Sequence, residues 1–234
     1  HTLMTRRNLA RWRGEAGDAA GAAEALAELL EDQVGVLGED HPHTLMTRRN
    51  LARWRGEAGD AAGAAEALAE LLEDWVRVLG EDHPHTLMTR NNLAVWRGEA
   101  GDAAGAAEAF AELLEDWVRV LGEDHTYTLM TRNNLAVWRG EAGDAAGAAE
   151  AFAELLEDWV RVLGEDHTYT LMTRNNLAVW RGEAGDAAGA AEALAELLED
   201  WVRVLGEDHP RTLTTRGNLD YWQQEAERAS RVSG

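Results

Sequence analysis

The chain has no cysteine, no lysine and no isoleucine in its 234 residues, and only two serines, Ser230 and Ser233. Without cysteine there is no disulfide framework, no thiol nucleophile and no cysteine-ligated metal. Without lysine there is no phosphate loop of the type that ends in Gly-Lys-Ser or Gly-Lys-Thr. Two serines near the C-terminal end leave no nucleophile elbow. No run of about 18 apolar residues occurs, so no segment spans a membrane as a helix. The N-terminus lacks the basic-then-apolar pattern of a leader, and a cytoplasmic location is expected. Positive charge is scarce: 22 basic residues, all arginine, stand against 43 acidic ones, for a net charge of −21. Such acidity argues against a nucleic acid as partner, because phosphates must be neutralised by Lys and Arg. Lysine and isoleucine need AT-rich codons, so their absence points to a GC-rich source genome. The apolar share of 45 % is enough for an extensive core and too high for a disordered acidic tail.

What is present is a repeat. The string TLMTR begins at Thr2, Thr44, Thr86, Thr128 and Thr170, with a degenerate copy, TLTTR, at Thr212. Five full repeats follow (1–42, 43–84, 85–126, 127–168, 169–210), and then a final half, 211–234, whose helix is expected over 211–229 as a cap. Repeats three and four differ only at His85 against Tyr127, and repeats one and two only at Gln33/Trp75 and Gly35/Arg77. Such near-identity means recent duplication or deliberate consensus engineering. Each repeat reads as two helices, A and B. In the second, Pro42 suits a first helical turn, and helix A runs from about Pro42 to Ala58. Gly59 ends it, and Asp60 caps helix B. Helix B carries apolar residues at Ala64, Leu68, Leu71, Leu72, Trp75, Val78 and Leu79, the three-and-four spacing of one buried face. Gly80 ends it. No segment alternates with period two, so no strand is expected. One hairpin cannot bury both its apolar faces, but stacked hairpins can. The expectation is an all-α solenoid of eleven helices, a single elongated array cut from a longer one.

The segment from Asn91 to His125 resembles the tetratricopeptide repeat, and most of all the 42-residue variety of kinesin light chains. It is also similar to repeats attached to bacterial NB-ARC-type signalling ATPases. The resemblance rests on Asn92-Leu93-Ala94, Gly101, Ala106, Phe110, Leu114, Gly122 and Asp124-His125 together, and covers almost the whole chain. Two positions depart from the family: Arg97 stands where an aromatic is usual, and Leu113 where many members have Ala. The resemblance implies a right-handed superhelix of helix pairs that binds a protein or peptide in a concave groove lined by the A helices.

Helix A divides into stripes. Thr89, Leu93 and Trp96 read as core. Across the helix lies the stripe Met88, Asn92, Val95, Glu99, which recurs as Met46, Asn50, Arg53, Glu57, then Met130, Asn134, Val137, Glu141, then Met172, Asn176, Val179, Glu183. With the flanking Arg49, Asn91, Asn133 and Asn175, these residues line the groove if the resemblance holds. Methionine offers an adaptable apolar contact, and an asparagine amide both donates to and accepts from a peptide main chain. Two readings of the amides stand: peptide contacts, or bonds between neighbouring helices. The first repeats carry Arg7, Arg11, Arg49 and Arg53 where later ones carry Asn or Val. That basic stretch either clamps a carboxylate or offsets nearby Glu. Arg48/Arg55 and Arg90/Arg97 are expected to pair with carboxylates of adjacent helices such as Glu66, Glu70 or Asp74.

Tryptophan recurs every 21 residues from Trp54 to Trp222, once per helix A and once per helix B except at Gln33, as core packing demands. His41-Pro42-His43 and His83-Pro84-His85 read as helix-start loops rather than metal sites. Carboxylates recur in every repeat and form no singular pair, so no enzyme and no cofactor are expected. The leading reading is a protein- or peptide-binding scaffold, part of a larger signalling protein. The second is a structural array that assembles end to end with itself.

Overall fold

The computed structural model describes residues 2–233, and every regular element among them is an α-helix. The A helices are α1 (Thr2–Glu15), α3 (Pro42–Glu57), α5 (Pro84–Glu99), α7 (Thr126–Glu141), α9 (Thr168–Glu183) and α11 (Pro210–Ser233). The B helices are α2 (Ala19–Leu37), α4 (Ala61–Leu79), α6 (Ala103–Leu121), α8 (Ala145–Leu163) and α10 (Ala187–Leu205). The expected count and the helix ends hold, except that α11 runs beyond the expected 229. The helices fall into two compact units, one up to Val120 and one from Leu121 onward. Within each unit consecutive helices pack on one another: α1 to α5 in the first, α7 to α11 in the second.

Local chemistry sets the helix ends. Between α3 and α4 the chain turns through Gly59 at φ 103°, a conformation that glycine adopts without a Cβ clash. Asp60 then accepts from the Gly63 N–H at 3.0 Å, satisfying a free donor of the first turn. At the start of each later A helix the cap is a histidine. The Nδ1 atoms of His41, His83, His125, His167 and His209 each accept from the backbone N–H two residues on, at 3.1–3.2 Å. Thr44, Thr86, Thr128, Thr170 and Thr212 each donate to the glycine carbonyl that closes the preceding B helix, as Thr86 does to Gly80 at 2.8 Å. That hydroxyl is buried, and it ties one repeat to the next.

The core is built mainly by the B helices. Trp75, Trp117, Trp159 and Trp201 are fully buried with Leu68, Leu71, Phe110, Leu113, Phe152 and Leu155. The expected core stripe of helix A joins the core: Thr47, Leu51 and Trp54 of α3 are buried, and in α5 Leu93 and Trp96 pack against the buried cluster. Thr89 is buried, but Leu93 and Trp96 are half-buried, and the innermost apolar residues of α5 are Leu87 and Ala94. Small residues let the helix axes approach closely, so the large ring reaches sideways instead. A methyl group built on Gly56 would stand 2.6 Å from the Trp96 ring, and the same contact joins Gly14 to Trp54, Gly140 to Trp180 and Gly182 to Trp222. Trp12 has no such partner in the described chain and is 59 % exposed.

Ion pairs follow the repeat on the surface. Arg48 pairs with Asp74, as expected. Arg77 extends the pair, bonding both Asp74 and, through two 2.7 Å bonds, Asp40 of the preceding loop. Arg161 and Arg203 do the same in the second unit. The Arg77 hydrogen bond holds the Asp40 carboxyl below the ordinary carboxylate range. Arg97 takes a partner that was not expected, Asp102 at the start of the following B helix, at 2.8 Å.

Three outcomes test this account. Gly140→Ala should destabilise the protein by about 1–3 kcal/mol through overpacking against Trp180. Gly217→Ala, with open space around it, should be neutral or stabilising by up to about 1 kcal/mol; denaturant titration of both variants checks the contrast. Gln33 is 3 % exposed in a slot that holds Trp in the other B helices, and its Oε1 is buried without a partner. Gln33→Trp should therefore stabilise the first unit by about 1–3 kcal/mol, read in the same titration. His85 lies against Trp75, and its pKa is lowered from 6.5 by burial, then by Arg49 and His83. Its neutral form thus contributes stability that is present above the unfolded value and lost as pH falls through the lower folded one. His85→Tyr should narrow the stability difference between about pH 8 and about pH 5, measured by thermal melts.

Candidate functional site

The A helices of each unit present their methionine and asparagine stripe side by side. In the second unit Met130 and Met172 are 38 % and 37 % exposed. Asn133, Asn134, Val137, Asn175, Asn176 and Val179 are half-buried around them. In the first unit Met46, Asn50, Met88, Asn91, Asn92 and Val95 are half-buried, Arg49 is buried and Arg53 is exposed. The sixteen positions singled out from the sequence thus lie on the A helices, eight in each unit.

The amide ladder is partly committed to the stack. Asn176 donates from Nδ2 to Asn133 Oδ1 at 3.2 Å, and Asn218 donates in the same way to Asn175 Oδ1 at 3.2 Å. In the first unit Asn91 donates to Asn92 on its own helix at 3.4 Å. Bonds between A helices are therefore one job of these side chains. The arginines are also engaged. Arg11 and Arg53 face Glu15 and Glu57 four residues on, at 3.4 and 3.7 Å, and Arg53 lies 4.8 Å from the Trp54 ring centre. Arg49 places NH1 3.9 Å from Met88 Sδ. The offsetting of nearby Glu accounts for the two exposed arginines.

Two cavities open on this face of the second unit. One, of about 160 Å³, is lined by Met130, Asn133, Asn134, Trp159, Tyr169, Met172 and Thr173. The other, of about 290 Å³, is lined by Met172, Asn175, Asn176, Trp201, Arg211, Thr214 and Thr215. Each combines the stripe of one A helix, the buried tryptophan of a B helix and the start of the next A helix.

The wall at the start of the next A helix was not foreseen. Its second residue is His43, His85, Tyr127, Tyr169 or Arg211. Tyr169 stacks on Trp159 at 5.1 Å, His85 tilts over Trp75 at 5.2 Å, and the Arg211 guanidinium stands 5.9 Å from the Trp201 ring centre. A signal was available: in repeats three and four this is the one position that changes. The tryptophans were correctly read as core, but Trp159 and Trp201 also form cavity walls. Among the described residues no group of three or more His, Asp or Glu side chains is placed to hold a metal ion. No described helix is long and apolar enough to cross a membrane.

Comparison with known proteins fits this geometry. The tetratricopeptide repeat profile matches residues 2–43, 44–85, 86–127, 128–169 and 170–211. No curated protein sequence matches the chain. Among solved structures, the chain is similar to a Podosopora anserina kinesin light chain candidate built of nearly identical TPR-like repeats. Identity there is 23 %, over 86 % of this chain and 95 % of that one, with a TM-score of 0.73. It is similar to a signal transduction ATPase with numerous domains, bearing a tetratricopeptide repeat sensor, from Pyrococcus horikoshii, at 11 % identity over 96 % of this chain and 33 % of that one (TM-score 0.69). A Rap protein complexed with competence and sporulation factor is similar at 11 % identity over 96 % of this chain and 66 % of that one, TM-score 0.69. At these identities the likeness is one of fold. With five matched repeats, eleven described helices and no described strand, the chain belongs to the tetratricopeptide repeat family and has its all-α fold of stacked helix pairs.

Proposed function

We propose that the protein is a scaffold or sensor module that binds a protein or peptide segment on the A-helix face, and has no catalytic role. The observation that carries this is the pair of adjoining cavities between A helices, walled by Met130, Asn134, Met172 and Asn176. Exposed methionines beside half-buried amides offer adaptable apolar contact together with main-chain recognition. Met46, Arg49, Asn50, Arg53, Met88, Asn91, Asn92 and Val95 form the corresponding face of the first unit. Asn133, Val137, Asn175 and Val179 complete that of the second. The sensor repeats of the Pyrococcus horikoshii ATPase and the complexed Rap protein share this fold and support the reading. A place in a larger cytoplasmic signalling protein, with neither cofactor nor nucleic acid involved, belongs to the same proposal.

A second reading draws on the open face of α1, where Met4, Leu9 and Trp12 are 57 %, 62 % and 59 % exposed. Stacking of copies end to end would cover it. In α11, however, Gln224 takes the place held by the socket glycine in the other A helices, so Trp12 would meet a side chain there instead of a gap. The groove reading is therefore preferred.

The test is selection from a random peptide library, followed by comparison of the wild type with Met130→Ala/Met172→Ala. Both methionines are exposed, so the variant should melt close to the wild type. Its affinity for the selected peptides should drop by about tenfold or more, as truncation of interface anchors does. A library that yields no peptide, or peptides that bind the variant equally well, overturns the reading.

A further inference from the structure

All of the chain's sulfur lies on one stripe. Cysteine is absent, and the five methionines, Met4, Met46, Met88, Met130 and Met172, stand one to each TLMTR string. Oxidation of sulfur in this protein is therefore oxidation of the A-helix face. The thioethers differ in their surroundings. Met88 is half-buried, and its Sδ faces NH1 of the buried Arg49 at 3.9 Å, so a lone pair that an oxidant would take is already turned to a cation. Met46 is half-buried as well and packs against the cluster around Trp75. Met130 and Met172 are exposed to nearly the same extent, 38 % and 37 %.

What separates these two is the cavity behind them. Met172 lines both cavities of the second unit. In the larger, of about 290 Å³, the indole Nε1–H of the buried Trp201 and NH1 of Arg211 are buried without a partner, and no carboxylate lines the space. Met130 lines only the smaller cavity, which has no cationic lining residue and no buried donor left without a partner. A thioether sulfur is a weak acceptor and leaves the two donors of the larger cavity unanswered. A sulfoxide oxygen is a polar acceptor on the same side chain, one bond away.

We infer that Met172 is an oxidation site through which a peroxide switches the groove off: its sulfoxide oxygen turns into the larger cavity, bonds Trp201 Nε1–H and Arg211, and takes away the apolar wall that both cavities share. The effect on binding rests on the groove reading above, whereas the oxidation itself needs only the cavity. In the step, a sulfur lone pair of Met172 attacks one oxygen of hydrogen peroxide. The S–O bond forms, the O–O bond breaks, and the proton on the transferred oxygen joins the departing hydroxide, which leaves as water. The thioether is oxidised by two electrons and the peroxide reduced by two. Met130 takes up oxygen by the same step but has no unpaired donor to hold it, so it is the control within the molecule.

The experiment treats the protein with hydrogen peroxide and follows the methionine methyl groups and the tryptophan indole N–H groups by correlation spectroscopy. The signals are assigned with Met88→Leu, Met130→Leu, Met172→Leu and Trp201→Phe; leucine conserves the volume of methionine, so the methionine variants should keep the fold. The Met172 methyl signal should convert to that of the sulfoxide ahead of the Met88 signal, and the Trp201 indole signal should move in step with it. Under peroxide the Trp201 signal should stay in place in Met172→Leu and move as in the wild type in Met130→Leu. Methionine sulfoxide reductases of both stereospecificities should return both signals. A Trp201 signal indifferent to oxidation of Met172, one that moves equally in Met172→Leu, or oxidation of Met88 ahead of Met172 overturns the site. Peptides selected on the reduced protein test the switch. They should bind the oxidised wild type about tenfold or more weakly, as loss of an interface anchor does. The loss should persist in Met130→Leu and vanish in Met130→Leu/Met172→Leu. Peptides that bind the reduced and oxidised protein equally overturn the switch and keep the groove. A library that yields none on the reduced protein overturns the groove reading itself, and the Trp201 signal still decides the oxidation site.

Discussion

The contact on which each compact unit depends is a tryptophan ring of one A helix lying on a glycine of the A helix before it. The ring needs a gap, and only glycine leaves one: a Cβ at Gly56 or Gly140 would sit within 2.6 Å of the indole. The contact sets how closely consecutive A helices approach, and therefore where their methionine and asparagine stripes stand. The bulky ring is used between repeats and the small residues within them.

Around this contact the repeat reuses a small set of polar links. A threonine hydroxyl closes on the preceding glycine carbonyl, a histidine Nδ1 caps helix A, and an aspartate caps helix B. Arginines on helix B bridge the aspartate of their own repeat to that of the preceding loop. Exposed pairs of this kind contribute little one at a time. Their consequence is geometric, because each fixes a loop relative to the helix it faces. The first repeat has Gly35 where Arg77 stands in the second and Gln33 where Trp75 stands. It lacks one link and buries an unpaired carbonyl oxygen, so it is the least reinforced part of the first unit.

Near-identity of repeats does not make near-identical sites. A cavity on the A-helix face takes its walls from three helices, and one of those walls is a residue that varies from repeat to repeat. Tyr169 closes one cavity with an aromatic face, and Arg211 turns the next into a place with donors and no acid. The same stripe of methionine and asparagine serves both. Any selectivity along this surface then comes from the wall together with the stripe positions that change, such as Arg49 and Arg53 where later repeats carry Asn and Val.

Periodicity made the fold legible without coordinates. The recurring TLMTR string, the glycines at the hairpin ends, the Asp caps and the three-and-four spacing of Ala64, Leu68, Leu71 and Trp75 determined the helices and their pairing. These signals are local, and local signals survive in a sequence because each helix end is decided by a handful of neighbours. The candidate site was half legible. Spacing on one helix placed Met172, Asn175 and Asn176 on one face, but could not say that Asn175 would bond Asn218 or that Arg211 would lie over Trp201. Those pairs are about forty and ten positions apart in sequence and meet only when helices pack. Tertiary structure alone decided which amides hold the stack, which donors are left over and which residue walls each cavity, because those outcomes depend on distances between helices that no single helix contains.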